Sequence, residues 1–512
     1  MQHVVVGVGP LTESDVVHVA RDGAGVELGG DAVGAIVRSR SVVTVLADDT
    51  EPHYGISTGF GALATKHIPV SQRALLQRSL IRSHAAGVGS EVEREVIRAM
   101  MLLRLSTLAS GHTGVRPETA STLAALLNRG ITPVVREFGS LGCSGDLAPL
   151  AHVALALIGE GTVRDSSGQL GPAADVLRAH GVEPVELAEK EGLALINGTD
   201  GMLGQLLLAC HDLDLLLRTA DLTAAMSVEA MLGTARVFAA DVQALRPQPG
   251  QALAAANMVA LLADSPIIAS HAGPDCVYVQ DAYSMRCAPQ VAGAARDTLA
   301  HARSVAGFEL SSAVDNPVVI DGRVESNGNF HGAPVAYVLD FLAIPAADVA
   351  SMSERRTDRM LDASRSRGLP PFLADDPGLD SGHMIAQYTQ AALVSEMKRL
   401  AVPASVDSIP SSAMQEDHVS MGWSAARKLR RSVDALNQVL AIELLTAARA
   451  LDLRAPLEPG PATGAVVASL RQLVAGPGPD RHLSPELEAA AGFVRSGAAI
   501  AAAEAALPEP LR

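Results

Sequence analysis

Aromatic side chains are scarce in this 512-residue sequence: Phe, Trp and Tyr make up 3% of it, whereas apolar residues make up 48%. The core must therefore consist mainly of Ala, Leu and Val. Small side chains let helices approach closely, because the distance between packed helices depends on the side chains at the contact. A chain of this length can bury roughly three quarters of its unfolded surface. The composition therefore favours a large helical core.

Cysteine is also rare, with four residues at 143, 210, 276 and 287. No two of them form a Cys-x-x-Cys pair, so neither a disulfide framework nor a zinc site is indicated, and we expect no metal. The amino terminus lacks a basic segment followed by a long apolar run, and charge interrupts the later apolar runs before they reach membrane-spanning length. These absences predict a cytoplasmic protein without a membrane segment.

Basic residues are outnumbered by acidic ones. The chain has 40 Lys and Arg against 56 Asp and Glu, which gives a net charge of −16. No basic patch offsets this excess. Nucleic acids and anionic membranes attract basic surfaces and repel acidic ones, so the charge predicts neither as a partner.

Two long proline-free stretches, 202–240 and 417–452, carry apolar residues at three- and four-residue spacing. This spacing is typical of helices with one buried face, and both stretches exceed the average helix length. We predict a mostly α fold with a long central helical bundle at 201–453. A smaller mixed N-terminal region covers 1–200 and a helical C-terminal segment covers 454–512, and together they form one continuous catalytic unit.

The segment Gly-Cys-Ser-Gly-Asp-Leu-Ala-Pro at 142–149 has the composition of a turn that reacts with itself. In a tight turn the Gly145 amide nitrogen can reach the Cys143 carbonyl carbon, because a residue without Cβ lets the backbone fold closely. Loss of water from the resulting five-membered ring, and of the Ser144 hydroxyl as a second water, would leave a methylidene carbon conjugated to an imidazolone. No amino-acid side chain supplies such an electrophile, and eliminating ammonia from an amino acid requires one.

Read alone, the same segment is an ordinary Gly-Ser-Gly turn with Asp146 in the first turn of the following helix. Asp146 occupies the second glycine position of a Gly-x-Ser-x-Gly nucleophile elbow and excludes that motif. A catalytic Cys143 has no local support. Residues 59–64 satisfy a loose dinucleotide pattern, but no apolar strand precedes them and no acidic residue follows about 20 positions later, which excludes NAD. The choice therefore depends on the rest of the chain.

Further motifs accompany this loop along nearly the whole chain. They are Tyr54-Gly55-Ile56-Ser57-Thr58-Gly59-Phe60-Gly61, Ser83-His84-Ala85-Ala86-Gly87, Asn197-Gly198-Thr199, Gln280-Asp281-Ala282-Tyr283-Ser284-Met285-Arg286, Asn327-Gly328-Asn329-Phe330-His331-Gly332 and Gln415-Glu416-Asp417-His418. With residues 142–152, they resemble the histidine and aromatic amino-acid ammonia-lyase family. The resemblance implies a homotetramer of helical bundles whose active sites are shared between subunits. It also implies a methylidene-imidazolone (MIO) group formed autocatalytically from Cys143, Ser144 and Gly145, with no external cofactor.

The resemblance also implies roles for single residues. Tyr54 is expected to remove the substrate β-proton, for which the site must lower its phenol pKa from about 10. Arg286 is expected to bind the substrate carboxylate through its planar guanidinium, and Asp146 to accept a hydrogen bond during ring formation. The remaining site residues are two amides that bond near the ring and carboxylate, a phenol near the ring and an apolar wall: Asn197, Gln280, Tyr283 and Phe330.

His84 and Glu416 bear on the choice of substrate. The two nitrogens of an imidazole each cost about 1 to 3 kcal/mol when buried unpaired, so an imidazole pocket needs such partners. A phenylalanine pocket gains nothing from burying a carboxylate. The pair favours L-histidine, converted to trans-urocanate and ammonia in the first step of histidine breakdown. A tyrosine or phenylalanine ammonia-lyase or aminomutase of the same family is the alternative, as is a catalytically inactive helical homologue.

Overall fold

A computed structural model describes residues 3–49, 51–273, 276 and 279–512. It is 58% helical. The described α-helices are Glu13–Val17, Gly30–Ala47, Arg73–His84, Arg94–Ala109, Pro117–Asn128, Leu147–Leu157, Ala173–Ala179, Glu191–Ile196, Asp200–Ala230, Ala240–Gln243, Pro249–Leu261, Pro266–Ala269, Tyr283–Arg286, Ala288–Leu310, Ala333–Leu361, Met384–Leu400, Gly422–Asp452, Pro461–Leu470, Ser484–Arg495 and Ala498–Glu504.

The strands are short and lie in four small sheets. One sheet is parallel and pairs His3–Val6 with Gly25–Leu28. The other three are antiparallel. Two of them have two strands each, Val88–Glu91 with Arg136–Phe138 and Val318–Ile320 with Arg323–Glu325, and in the third Thr162–Arg164 lies between Thr132–Pro133 and Leu170–Pro172. Seven of the nine described strands precede residue 173. The prediction of a mostly helical fold with a smaller mixed N-terminal region is confirmed.

Both long helices predicted from the sequence are present, but with different bounds. The first is Asp200–Ala230 and does not reach residue 240, because the backbone turns at Leu232 with a φ of +52°, and a left-handed residue ends a helix. The second, Gly422–Asp452, begins five residues later than predicted, after Met421 with a φ of +53°. Each has 31 residues and is therefore about 46 Å long.

The chain divides into two compact units. The first consists of Met1–His211, Ala302–Asp340 and Pro403–Arg427, and the second of Asp212–His301, Phe341–Val402 and Lys428–Arg512. Each is assembled from three separate stretches of chain. The predicted regions 1–200, 201–453 and 454–512 follow chain order instead, and they stay a prediction.

One helix contradicts the expectation that charge interrupts every apolar run before it reaches spanning length. Ala333–Leu361 is long and apolar enough to cross a membrane, with a mean hydropathy of 1.5 over its most apolar window. Within the structure 61% of that window is buried. Length and composition do not separate a buried core helix from a membrane span, and burial of this extent is what a core helix has.

The second unit contains a buried ion pair between Arg356 and Glu443. The guanidinium Nε lies 2.5 Å from Oε1 and Nη2 lies 2.9 Å from Oε2. Glu443 also accepts hydrogen bonds from the Thr223 hydroxyl at 2.8 Å and the Ser227 hydroxyl at 2.7 Å. Four donors therefore compensate a carboxylate that has no access to solvent.

Breaking this pair should destabilise the protein strongly. We expect Glu443→Gln to lower the free energy of unfolding by about 3 kcal/mol, because it leaves the buried Arg356 charge without its counter-charge. Glu396→Gln is the matched control, since its pair with Arg399 is exposed and exposed pairs contribute little. Urea unfolding of both variants measures the difference, and equal midpoints would contradict the prediction.

Candidate active site

The turn at 143–145 is tight and contains two left-handed residues. Ser144 has a φ of +50° and Gly145 a φ of +74°, both in the left-handed region. A non-glycine residue in that region is strained and persists only where its surroundings hold it. At Gly145 a Cβ atom would overlap the backbone of Gly198, so no other residue fits there. The tight turn expected from the sequence is therefore present.

Asp146 is fully buried directly after this turn. Its carboxylate oxygens accept hydrogen bonds from the Ser140 hydroxyl and from the Met202 amide, both at 2.8 Å. Its own amide donates to the Gly198 carbonyl oxygen at 2.7 Å. Burial disfavours the charged form and raises the pKa of Asp146 to about 7. Asp146 is thus a fixed carboxyl group that can exchange a proton near neutral pH.

Glu416 lies against the ring-forming turn, although it is 273 residues away in sequence. The Cys143 thiol donates to Glu416 Oε2 at 3.2 Å, and the Ser411 hydroxyl donates to the same oxygen at 2.8 Å. Burial, together with the negative charge of Glu416, raises the pKa of the Cys143 thiol to about 12. A thiol with such a pKa stays neutral at physiological pH, which argues against a catalytic thiolate.

Glu416 is also close enough to act electrostatically on Tyr54 and His84. The pKa of His84 is lowered, mainly by burial, with Glu416 opposing the shift. His84 Nδ1 lies 2.9 Å from the Leu80 carbonyl oxygen. A carbonyl oxygen only accepts, so a hydrogen bond to Leu80 puts the proton on Nδ1 and leaves Nε2 as the acceptor of the neutral ring, whereas a bond from the Ser83 hydroxyl, 3.0 Å from Nδ1, would reverse these roles. Tyr54, His84, Glu416 and the turn therefore lie together in the first unit.

The Tyr54 phenol does not have the lowered pKa that the sequence analysis required. Burial raises its pKa, and the negative charges of Glu416 and Asp315 act in the same direction. The Gly61 amide, which donates to the phenol oxygen at 3.3 Å, opposes the shift. The expected lowering of the pKa fails within the single chain, mainly because the phenol is buried and also because the charges that act on it there are negative.

Asn197 lies buried at the end of helix Glu191–Ile196. Its Nδ2 donates to the Asn316 carbonyl oxygen at 2.8 Å, and its buried Oδ1 has no hydrogen-bond partner within the described chain. An unpaired buried acceptor is costly and favours a donor from a bound molecule. Phe330 is half-buried in a loop that is tied to the turn by a hydrogen bond from the Gly332 amide to the Gly142 carbonyl, 3.1 Å long.

The other three predicted site residues, Gln280, Tyr283 and Arg286, lie in the second unit. Gln280 is exposed and Tyr283 is 70% exposed. Arg286 ends the one-turn helix Tyr283–Arg286, and its guanidinium carbon lies 4.8 Å from the centre of the Tyr283 ring. Its buried Nε has no hydrogen-bond partner within the described chain. This unit therefore presents a phenol and a guanidinium side by side.

Sequence reasoning missed several buried residues that hold these segments. Arg104 donates through Nη1 to the carbonyl oxygens of Ala194, at 2.9 Å, and Asn197, at 3.3 Å, and through Nε to Asp200 at 3.0 Å. Lys190 pairs with Asp315. The partners lie 96 and 125 residues apart in sequence, so no local spacing marks them. These residues are recognised by the burial of their charges, and the sequence does not show which charged residues are buried.

The surroundings of the turn at 143–145 suit a backbone-derived prosthetic group. In the part of the chain that the structure describes, no group of three or more His, Cys, Asp and Glu side chains could hold a metal ion. The turn at 143–145, by contrast, combines two left-handed residues with a neighbouring buried carboxyl. The unpaired Asn197 Oδ1 supplies an acceptor beside it.

Comparisons with known proteins identify relatives along nearly the whole chain. The chain is 66% identical over 506 residues to a protein named histidine ammonia-lyase from Streptomyces avermitilis, covering 98% of this chain and 99% of that one. Its structure is similar to that of a tyrosine aminomutase from Streptomyces globisporus, with a TM-score of 0.94, 40% identity and coverage of 99% and 100%. A histidine ammonia-lyase from Trypanosoma cruzi gives a TM-score of 0.91, 39% identity and coverage of 99% and 96%.

The family profile described as aromatic amino acid lyase matches residues 11–472. This match includes every residue for which the sequence analysis implied a role, from Tyr54 to Glu416. Together with relatives that match from end to end, it confirms the resemblance drawn from the motifs. The chain belongs to the aromatic amino acid lyase family.

Proposed function

We propose that this protein is a histidine ammonia-lyase, which converts L-histidine to trans-urocanate and ammonia. The observation that carries the proposal is the contact of Glu416 with the ring-forming turn, in a position from which its charge also acts on His84 and Tyr54. The identity of 66% to a histidine ammonia-lyase supports the same substrate. We further propose that the enzyme acts in the cytoplasm in the first step of histidine breakdown, with no metal, nucleic acid or membrane partner.

The prosthetic group proposed is methylidene-imidazolone, made from Cys143, Ser144 and Gly145. The Gly145 amide nitrogen attacks the Cys143 carbonyl carbon, that oxygen leaves as water, and the Ser144 hydroxyl leaves as a second water. When formed, the group supplies an electrophilic carbon that makes the substrate amine a better leaving group. The left-handed turn favours the attack, and Asp146 is held where it can take part in proton transfer during dehydration.

The other residues of the first unit bind and deprotonate the substrate. Tyr54 removes the β-proton in its ionised form, Asn197 accepts a hydrogen bond through its unpaired Oδ1, and Phe330 forms an apolar wall. His84 Nε2 accepts a hydrogen bond from an imidazole N–H in the tautomer whose Nδ1 proton is directed at Leu80. Glu416 supplies a second acceptor. These two acceptors match a protonated imidazole ring, which has two N–H groups, whereas a neutral ring has one N–H and one acceptor nitrogen.

Incubating the purified protein with L-histidine, L-tyrosine and L-phenylalanine separately tests this assignment. We expect the ultraviolet absorbance of the unsaturated acid to rise with L-histidine and to rise far more slowly with the other two. A site that hydrogen-bonds polar groups rejects ligands that lack them by a large factor. Faster turnover of L-tyrosine, or formation of a β-amino acid, would instead favour a tyrosine ammonia-lyase or aminomutase.

Arg286 is proposed to bind the substrate carboxylate. Arg286→Lys keeps the positive charge but loses the planar pair of donors and the stacking on Tyr283, so we expect KM for L-histidine to rise by about tenfold or more. Steady-state kinetics measure the change. Arg246→Lys, at an exposed position of the same unit, is the matched control. An unchanged KM in Arg286→Lys would place the carboxylate elsewhere.

We propose that the protein is a homotetramer whose active sites are shared between subunits, with Gln280, Tyr283 and Arg286 coming from a different copy than the turn. Gln280 and Tyr283 are exposed in the single chain and so are accessible to a second copy. Tyr54 and the turn should come from the same copy, because both lie near one Glu416 carboxylate.

Mixed tetramers test this arrangement. Chains with Ser144→Ala and chains with Arg286→Ala are each expected to be nearly inactive, and mixing them should restore partial activity because some sites combine two intact contributions. A mixture of Ser144→Ala with Tyr54→Phe should recover none, since each site then carries one of the two defects. The reverse pattern of recovery in verified mixed tetramers would contradict the assignment.

A further inference from the structure

The segment Asp315–Pro317 connects three parts of the proposed site. The Asn316 carbonyl oxygen accepts the hydrogen bond from Asn197 Nδ2 at 2.8 Å. Asn327, in the loop that carries Phe330, donates from Nδ2 to the Asp315 carbonyl at 3.0 Å and from its amide to Asn316 Oδ1 at 2.9 Å. The segment therefore bonds directly to Asn197 and to the Phe330 loop.

The same segment packs against the turn that carries Tyr54. Gly55 has a φ of +78°, and a Cβ built on it would lie 3.1 Å from the Pro317 ring carbon Cδ and 3.1 Å from a methyl carbon of Leu193. A side chain at position 55 would therefore be too close to Pro317 and Leu193, so the Gly55 backbone beside Tyr54 packs closely against Pro317. A shift of Pro317 would displace the residue next to the phenol.

A buried ion pair holds this segment in place. Lys190 Nζ lies 2.6 Å from Asp315 Oδ2, and both side chains are fully buried. The other carboxylate oxygen, Oδ1, accepts the Asn316 amide at 2.8 Å. Lys190 directly precedes helix Glu191–Ile196, which ends just before Asn197. The pair thus joins the start of the Asn197 helix to the segment that binds the Asn197 side chain.

Such a pair is a poor device for stability alone, because two charges must lose their hydration to form it. The position of the Lys190–Asp315 pair beside the proposed site indicates a role in holding site residues in place. We propose that Lys190 and Asp315 are positioning residues for the ammonia-lyase reaction: their ion pair fixes Asp315–Pro317, which in turn places the Tyr54 phenol and the Asn197 amide. This inference rests on the proposed function, since it concerns the residues that we assign to proton removal and binding.

The charges around the phenol make the proposal measurable. Burial raises the pKa of Tyr54, and the negative charges of Glu416 and Asp315 raise it further. The hydrogen bond from the Gly61 amide lowers it. Lys190 compensates Asp315 from 2.6 Å, and Arg104 acts on Lys190. Removing the Asp315 charge therefore removes one of two carboxylates that disfavour the phenolate.

Asp315→Asn is the main test. If Lys190 keeps its proton, a positive charge is left near the phenol. If it loses the proton, both charges of the pair are gone. With Lys190 charged, the pKa of Tyr54 should fall and the rise of kcat with pH should move to lower pH; with Lys190 neutral, the loss of two adjacent opposite charges should change the pKa less. Tyrosinate absorbance, taken as the difference between each protein and its Tyr54→Phe counterpart, reports the same pKa directly.

A double variant guards against misfolding. Lys190→Met combined with Asp315→Asn leaves no unpaired buried charge, so it should change the pKa of Tyr54 less than Asp315→Asn does, while the looser segment should reduce kcat at its plateau about tenfold. Asp221→Asn, in the buried Asp221 pair with Arg296 of the second unit, is the matched control and should leave the pH profile unchanged.

The outcomes separate the inference from the proposed function. A folded double variant with the wild-type pH profile, tyrosinate titration and kcat would overturn the positioning role while Tyr54→Phe stays inactive. Full activity of Tyr54→Phe would instead overturn the assigned base, and with it the proposed mechanism. If Asp221→Asn shifts the pH profile as much as Asp315→Asn does, the shift is a general effect of losing a buried charge, and this result would also overturn the inference.

Discussion

Ser144→Ala is expected to yield a folded protein with almost no ammonia-lyase activity. Without the hydroxyl the second water cannot leave, so the methylidene carbon cannot form and the substrate amine stays a poor leaving group. Loss of a covalent catalytic group typically costs far more than loss of a binding contact. We expect kcat to fall by ~10³-fold or more, measured by the appearance of trans-urocanate.

Intact-mass spectrometry separates this explanation from a simple folding defect. The wild-type chain should be lighter than its sequence by two water molecules, with no added cofactor, and Ser144→Ala should lack this deficit. Ser167→Ala, at an exposed loop position, is the matched control and should keep both the deficit and the activity. An active wild-type chain with the unmodified mass would contradict the proposed prosthetic group.

Tyr54→Phe is expected to have the second largest effect. The substitution keeps the ring and its edge-to-face contact with Phe60, whose centre lies 6.4 Å away, but it removes the proposed base. We expect kcat to fall by ~10²-fold or more, the range that removal of a general base produces, with a smaller change in KM. Tyr388→Phe, at an exposed position, should behave like the wild type.

The pH dependence follows from the raised pKa of Tyr54. A base acts in its deprotonated form, so a raised pKa means that little phenolate exists at neutral pH and that kcat should increase towards alkaline pH. The Phe variant should lack this increase. A wild-type kcat that is flat from neutral to alkaline pH, or an unchanged kcat in the Phe variant, would move the base to another residue.

The fold was predictable where the pattern is long and periodic. The apolar spacing in 202–240 and 417–452 located two helices of 31 residues. Their ends were misplaced, because they depend on left-handed conformations at Leu232 and Met421, and neither residue is a glycine. Helix Ala333–Leu361 was not predicted as a long apolar helix, because Asp340 and Asp348 interrupt its apolar residues, yet it is long and apolar enough to pass for a membrane span and 61% of its most apolar window is buried.

The candidate site was also predictable only in part. The motifs located the turn, because ring formation requires Ser and Gly in adjacent positions, and the resemblance that they carry supplied the proposed role of each residue. They could not indicate the electrostatics. The motif around Tyr54 led us to expect a lowered phenol pKa, but burial and two carboxylates raise it. One of these, Asp315, belongs to no motif that we recognised.

The sequence by itself determined which chemical groups are available: the turn at 143–145 that we propose reacts with itself, a phenol, a guanidinium, and an imidazole with a carboxylate. Covalent chemistry depends on which atoms are adjacent in the chain. The tertiary structure alone decided which of these groups meet. It brought Glu416 to Cys143 across 273 residues and buried Lys190 against Asp315. Burial and charge proximity set the pKa values, and they arise only when segments distant in sequence pack together.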